Sequence, residues 1–406
     1  MTYGSSIKLR FRKCRVKENQ SKRCFIWVSL AHKGFQAAVR GDHRHFLTTL
    51  FALILSLLTI HCTWGKDTYF VQALECKTTS MATLTRKSRF ILFAWLTLGV
   101  TIIVILWGDV VQATGSGDGC GAYWPVCNGE VLPAFAGRET FIEFTHRVTS
   151  GFVGIMSLVL FIWSRMSFSR GSLVRRGAAF TLFFMFTESL VGAVLVVFRL
   201  VGEDASMARV VIAPLHLLNT LLLIAALVLT LYFAYGGNRP SWKGQGNMAW
   251  LLACGMFLIG VVSAMGAITS LGDAIFPVAS TEEAIRRSVT EGEHFLVRLR
   301  VWHPVVSIFA GIYLIVASWM IHRVKGGNFI QAMGIGVFAV FVLQMIVGTL
   351  NVITAASLTT QLIHILLADG LWSFWVLLAA SALAIKPAGS SDSGRLQNLQ
   401  ASSATD

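Results

Sequence analysis

Beyond residue 85 the chain alternates long apolar runs with short polar ones. Eight runs are long enough to cross a hydrocarbon core of about 30 Å as helices. They fall at 90–111, 143–163, 178–198, 212–234, 248–269, 302–321, 331–353 and 361–385. Some carry an interior Gly or Ser, which membrane helices use for close packing. The pattern predicts an all-α membrane protein with eight transmembrane helices. The Ser-rich stretch 387–406 reads as a disordered cytoplasmic tail. Residues 1–80 differ: they are basic and hold one apolar run, Phe46 to Ile60, too short for an ordinary span. Met81 opens Met-Ala-Thr-Leu-Thr-Arg-Lys-Ser-Arg. We read translation as starting there, with 1–80 outside the native core. A ninth helix or a transit peptide is the rival, and N-terminal sequencing of the native protein decides.

Composition agrees with a bilayer. Hydrophobic residues make up 55% of the 406 and charged ones only 13%, against about 25% in soluble proteins. The net charge of +14 does not signal nucleic acid, because the basic residues sit in short clusters between apolar runs. Such clusters set orientation. Arg86, Lys87 and Arg89, then Arg165, Arg170, Arg175 and Arg176, then Arg239 and Lys243, then Arg323 and Lys325 all fall on one side. That side is expected to be cytoplasmic, placing both ends of the eight-span core inside a bacterial inner membrane. The opposite loops are mixed in sign, with Asp118, Glu130, Glu203, Asp204, Asp273, Glu282, Glu283, Glu291 and Glu293.

The spans repeat four by four. Span three holds Leu190-Val-Gly-Ala-Val-Leu and span seven Ile346-Val-Gly-Thr-Leu-Asn. Span four begins Pro214-Leu-His-Leu-Leu and span eight Gln361-Leu-Ile-His-Ile-Leu. His146 opens span two and His303 opens span six. Four spans per half is an even number, so both halves keep one orientation. The expectation is two parallel-repeat four-helix bundles, 81–240 and 241–386, related by a pseudo-twofold axis along the membrane normal.

Four of ten histidines thus recur in matched places: His146, His216, His303 and His364. Each lies near the outer end of an even-numbered span. Ionisable groups in a membrane are costly and point to function. Two imidazoles facing each other across a bundle can hold a haem iron from both sides. A lone histidine would more often be a satisfied packing residue, but four in register argue otherwise. Glu143 makes one Glu-x-x-His with His146. The second half has Arg300 in the matching place, so a di-iron cage is not supported. Glu143 shares a helical face with His146 and could relay protons or stabilise a cation. It could equally be an acid favouring its helix dipole. The first half looks equipped for chemistry, the second for holding a permanent cofactor.

None of the seven cysteines forms a CxxC pair, so a zinc site is not indicated. Cys120 and Cys127 flank Gly-Ala-Tyr-Trp-Pro-Val in the first outer loop. A disulfide in an oxidising compartment and two unpaired thiols are both open readings. Cys254, within span five, reads as inert packing.

The stretch Thr114-Gly-Ser-Gly-Asp-Gly-Cys-Gly-Ala-Tyr-Trp-Pro-Val-Cys-Asn-Gly129, followed by Ile142-Glu-Phe-Thr-His-Arg147, strongly resembles the haem A synthase family. So does His294-Phe-Leu-Val-Arg-Leu-Arg-Val-Trp-His-Pro304. The resemblance covers about residues 86–386 and leaves the first 80 outside. It implies oxidation of the C8 methyl of haem O through an alcohol to the formyl of haem A, for terminal cytochrome oxidases. It implies His303 and His364 as axial ligands of a cofactor haem b, and His146 and His216 as lining the haem O site. Glu143 would be the catalytic glutamate, stabilising a developing cation, and Cys120 and Cys127 the loop pair of one branch of the family. It also implies a haem O synthase, a farnesyltransferase, as upstream partner. Membrane lipid is the surrounding medium; a homo-oligomer is left open. The rivals are a non-catalytic bis-histidine cytochrome b, which leaves Glu143 and the cysteine loop unexplained, and a parallel-repeat transporter, which would need polar midplane groups.

Overall fold

The computed structural model describes residues 86–133 and 137–384. The extension 1–80, the Met81 start and the tail 387–406 lie outside the described residues. Those described are helical with turns and two isolated bridges, and form no extended strand. The long helices are α1 (Arg86–Ala113), α2 (Arg138–Ser167), α3 (Leu173–Val197), α4 (Met207–Ala234), α5 (Asn247–Ile275), α8 (Trp302–Lys325), α9 (Asn328–Ile353) and α10 (Leu358–Ala382). Between α5 and α8 lie two short ones, α6 (Thr281–Val289) and α7 (Phe295–Leu299). Eight helical segments are long and apolar enough to cross a membrane, α7 and α8 being counted as one. The all-α, eight-span expectation is met.

Most helices run a few residues past the apolar runs because their first turns are polar. Serine hydroxyls cap four of them: Ser172 accepts from the Arg175 N–H, Ser206 from Arg209, Ser280 from Glu283 and Ser357 from Thr360. Each satisfies an N–H that the helix itself cannot. α6 is the element that hydropathy misses. Its sequence is polar, and its start is signalled by Ser280 with Glu283 three residues on, whose carboxylate reaches back to the Ala279 N–H at 3.0 Å. Just beyond it, Arg287 pairs with Glu293 at 2.9 Å, and that hydrogen-bonded guanidinium holds the Glu293 carboxyl below its usual range.

The long helices form two rings. In the first half α1 packs on α2, α2 on α3, α3 on α4 and α4 on α1; in the second, α5, α8, α9 and α10 repeat the same neighbours. The first and fourth helices of each ring, α1, α4, α5 and α10, meet between the halves. α10 and α4 are therefore the most enclosed, with 72% and 61% of their apolar windows buried, whereas α3 has 11%. With no hydrophobic drive between helices in lipid, contacts depend on close packing and hydrogen bonds. Trp372 Nε1 donates to the Leu221 carbonyl at 2.6 Å and Trp375 Nε1 to the Leu252 carbonyl at 3.2 Å, tying α10 to α4 and α5. Gln112 Nε2 donates to Ser270 Oγ at 3.0 Å, tying α1 to α5. Cys254 does not pack inward; it is exposed, beside Tyr313 of α8.

Candidate functional site

The four histidines share one local construction. Each imidazole lies over a glycine of the helix that precedes its own. A Cβ on Gly108 of α1 would stand 3.0 Å from His146 Cε1, and one on Gly266 of α5 would stand 3.1 Å from His303 Cε1. A Cβ on Gly348 of α9 would be 3.0 Å from His364 Cε1, and one on Gly192 of α3 would be 3.6 Å from His216 Cε1. Gly192 and Gly348 are the glycines of the repeated Val-Gly motif. Sequence reading found that motif without its purpose: the missing side chain makes room for a ring. Gly348→Ala should therefore tilt His364 off its present rotamer, costing about 1 kcal/mol or more in strain. The check is a lowered haem content at unchanged protein yield; an unaltered haem spectrum would contradict the role.

In the second half His303 and His364 face each other, with ring centroids 6.4 Å apart and planes at 74°. Metal–imidazole bonds of about 2 Å put two ring centres on opposite sides of one metal at about 6 Å. The pair thus fits an iron between the rings. Among the described residues, no group of three or more His, Cys, Asp or Glu side chains could hold a metal ion. A two-ligand axial pair, as in a bis-histidine haem, is what the arrangement offers. Among the described residues the buried Nδ1 atoms of His146, His216 and His364 have no hydrogen-bond partner. In the first half His146 and His216 lie close enough to interact electrostatically. The donor set is imidazole in an apolar bundle, which suits haem.

Glu143 is buried, at 3% exposure, and its carboxylate turns to the outer loop. Oε2 accepts from the Cys120 backbone N–H at 2.7 Å, and Oε1 accepts from the Arg147 guanidinium, whose Nε lies 3.0 Å away. Arg147 also donates to the carbonyls of Tyr123, of Val126 at 2.6 Å and of Gly121 at 3.4 Å. These carbonyls belong to the loop closed by a Cys120–Cys127 disulfide, Cα–Cα 4.5 Å. The disulfide reading is thereby settled over two free thiols. Thr140 Oγ1 donates to the Gly119 carbonyl at 2.8 Å. The loop therefore rests on the first turns of α2, clasped by a Glu–Arg pair one helical turn apart. Asp109 and Asp369 each leave one buried carboxylate oxygen without a hydrogen-bond partner among the described residues.

Arg300 performs the matching clasp in the second half with the opposite charge. It pairs with Asp273 at 2.5 Å and donates to the carbonyls of Gly272 at 3.0 Å and Phe276 at 2.7 Å. Glu143 ties the loop after α1 to the start of α2, and Arg300 ties the last turn of α5 to the start of α8. Only in the first half does the carboxylate stand three residues before the histidine.

Sequence reasoning missed Glu188. On α3, it lies 3.3 Å from His216 Nδ1 and accepts from Asn219 Nδ2 at 2.5 Å and from Thr220 Oγ1. Counting from the repeated Val-Gly motif, its counterpart is Gln344 of α9, which meets His364 Nε2 at 3.2 Å. Aligning the halves outward from those glycines would have exposed this second acid.

A family model described as cytochrome oxidase assembly protein, COX15-CtaA, matches residues 91–376. Heme A synthase of Alkalihalophilus pseudofirmus is 29% identical over 280 residues, 67% of this chain and 90% of that protein. Heme A synthase of Halalkalibacterium halodurans is 28% identical over 293 residues, 70% of this chain and 93% of that one. A Thermus thermophilus protein named protoheme IX farnesyltransferase is 44% identical over 296 residues, 73% of this chain but 49% of that protein. The chain thus spans about half the length of that relative.

Proposed function

The chain belongs to the haem A synthase family, matched by the cytochrome oxidase assembly model over most of its length, and from that premise we propose that it oxidises the C8 methyl of haem O to the formyl of haem A. The observation that carries the reading is the pairing of two histidine sites with one buried glutamate in the first half only. His146 and His216 would hold the substrate, haem O. His303 and His364 would hold a resident haem b, which supplies one-electron relay chemistry when bound. The relatives named heme A synthase support this, as do the matched histidines over glycines.

The residues of the first half divide the work. His146 and His216 would position the substrate iron, and with it the porphyrin edge that carries the methyl. Oxidation of a methyl to an aldehyde removes four electrons and takes its oxygen from water, so protons must leave and positive charge must be met. Glu143 is the carboxylate available at the outer end of α2 to take a proton or face that charge. The loop clasped over it would keep bulk water out. The electrons pass to an acceptor outside this chain.

The Thermus relative supports an upstream partner. A protein named for protohaem farnesylation carries, across about half its length, a segment similar to this chain. We therefore infer a farnesyltransferase as the source of haem O. We also infer a bacterial inner membrane, with both core termini cytoplasmic as the Lys and Arg clusters indicate, and two bundles, 81–240 and 241–386, about a pseudo-twofold axis. The test is extraction and chromatography of haem from cells making this chain together with a haem O source. Haem A should appear; bound haem b with no haem A would mark an electron carrier instead.

A further inference from the structure

We propose that Glu188 is a positioning residue of the first-half site, whose charge beside Nδ1 biases the tautomer and raises the donor strength of His216 toward a bound haem. The inference rests on the haem reading above and goes beyond it, because it assigns a second acid to that site and a difference between the halves.

The geometry is that of an outer-shell carboxylate. Glu188 Oε1 stands 3.3 Å from His216 Nδ1. Nδ1 makes no hydrogen bond among the described residues, but a carboxylate charge at that distance favours a proton on Nδ1 over one on Nε2, which leaves the Nε2 lone pair free for a metal. Carboxylates placed on the far nitrogen of a ligating histidine orient the ring and increase its basicity. Glu188 is itself held. Asn219 Nδ2 donates to Oε2 at 2.5 Å and Thr220 Oγ1 donates to Oε1. Thr187 Oγ1 donates to Asn219 Oδ1 at 2.7 Å and so steadies the asparagine. The network spans α3 and α4, and the ring it serves rests against Gly192.

The second half lacks this arrangement. Gln344 occupies the equivalent place and meets the other ring nitrogen of its histidine. An amide brings no negative charge, so His364 would be the weaker donor. A stronger donor stabilises ferric over ferrous iron. A first-half haem should thus have the lower midpoint potential of the two, and Glu188 should be the cause.

The plain alternative is that Glu188 only clasps α3 to α4. Glu188→Gln separates the two, since glutamine keeps the shape and an oxygen acceptor for Asn219 or Thr220 but loses the charge. The full chain, purified with its haem, would be followed by redox titration and by haem titration of depleted protein. The expected result is a raised midpoint potential for one of the two haems, with about 10–100-fold weaker binding there and the other haem unmoved. Glu188→Asp, which restores the charge, should recover part of the shift. Unchanged potentials and affinities in Glu188→Gln would overturn the inference and leave a helix clasp. A wild-type chain that binds no haem would overturn the haem reading itself.

Discussion

If His303 and His364 hold a haem as proposed, replacing either with alanine should remove it, and the loss should be read as a missing bis-histidine signal in the reduced spectrum. The two rings stand 6.4 Å apart across the bundle, so one iron can bind both and neither can be replaced by a neighbour. Among the described residues no third His, Cys, Asp or Glu completes a metal-binding group there. Removing an outer-shell partner of a metal ligand typically costs about 10–100-fold in affinity, and removing the ligand itself should cost more. Haem per protein should fall by close to half, with the first-half haem remaining. Gly266 and Gly348 lie under the two rings, so alanine at either histidine leaves a small void and no clash, and the variants should still fold. Full haem content with an unchanged spectrum in both variants would move the ligands elsewhere.

The second large effect is at Glu143, where two variants must be compared. Glu143→Ala leaves the Arg147 guanidinium without its carboxylate and the Cys120 N–H without its acceptor. Breaking a buried ion pair from one side costs about 3–5 kcal/mol, so the outer loop should loosen and its disulfide become open to reductant. Glu143→Gln keeps an acceptor for the Cys120 N–H and preserves the loop. If Glu143 handles a proton, haem A formation should fall about 100–10,000-fold in the glutamine variant, with haem binding and disulfide protection close to wild type. Haem A formed at the normal rate by Glu143→Gln would reduce Glu143 to a loop clasp, the role Arg300 has in the second half.

The eight spans were legible because a bilayer demands about 20 apolar residues in a row, and little else in a sequence looks like that. The histidines were legible because the chain repeats itself. A single intramembrane histidine is ambiguous, whereas His146 with His303 and His216 with His364 is a pattern. The direction of Glu143 was not legible. Its neighbour in sequence is His146, but its partners in space are the Cys120 N–H and, through Arg147, the carbonyls of Gly121, Tyr123 and Val126. Those contacts depend on how the loop folds back, which helical spacing does not encode. Helix α6 escaped because hydropathy reports only apolar runs, although Ser280 and Glu283 marked its start. Glu188 escaped because an acid inside an apolar run looks like an isolated exception until the two halves are laid side by side.

The central place of α10 has a consequence for biosynthesis. α10 is the last of the eight spans to leave the ribosome, yet it touches α1, α4 and α5 as well as α9. Until it inserts, the earlier seven lack their innermost wall, and the Trp372 and Trp375 bonds to α4 and α5 cannot form. A chain cut short at Ser357 would lose one helix in eight but would leave both halves unfinished. His364 also lies on α10, so if the second-half histidine pair holds a haem as proposed, that haem can load only after the last span has been made.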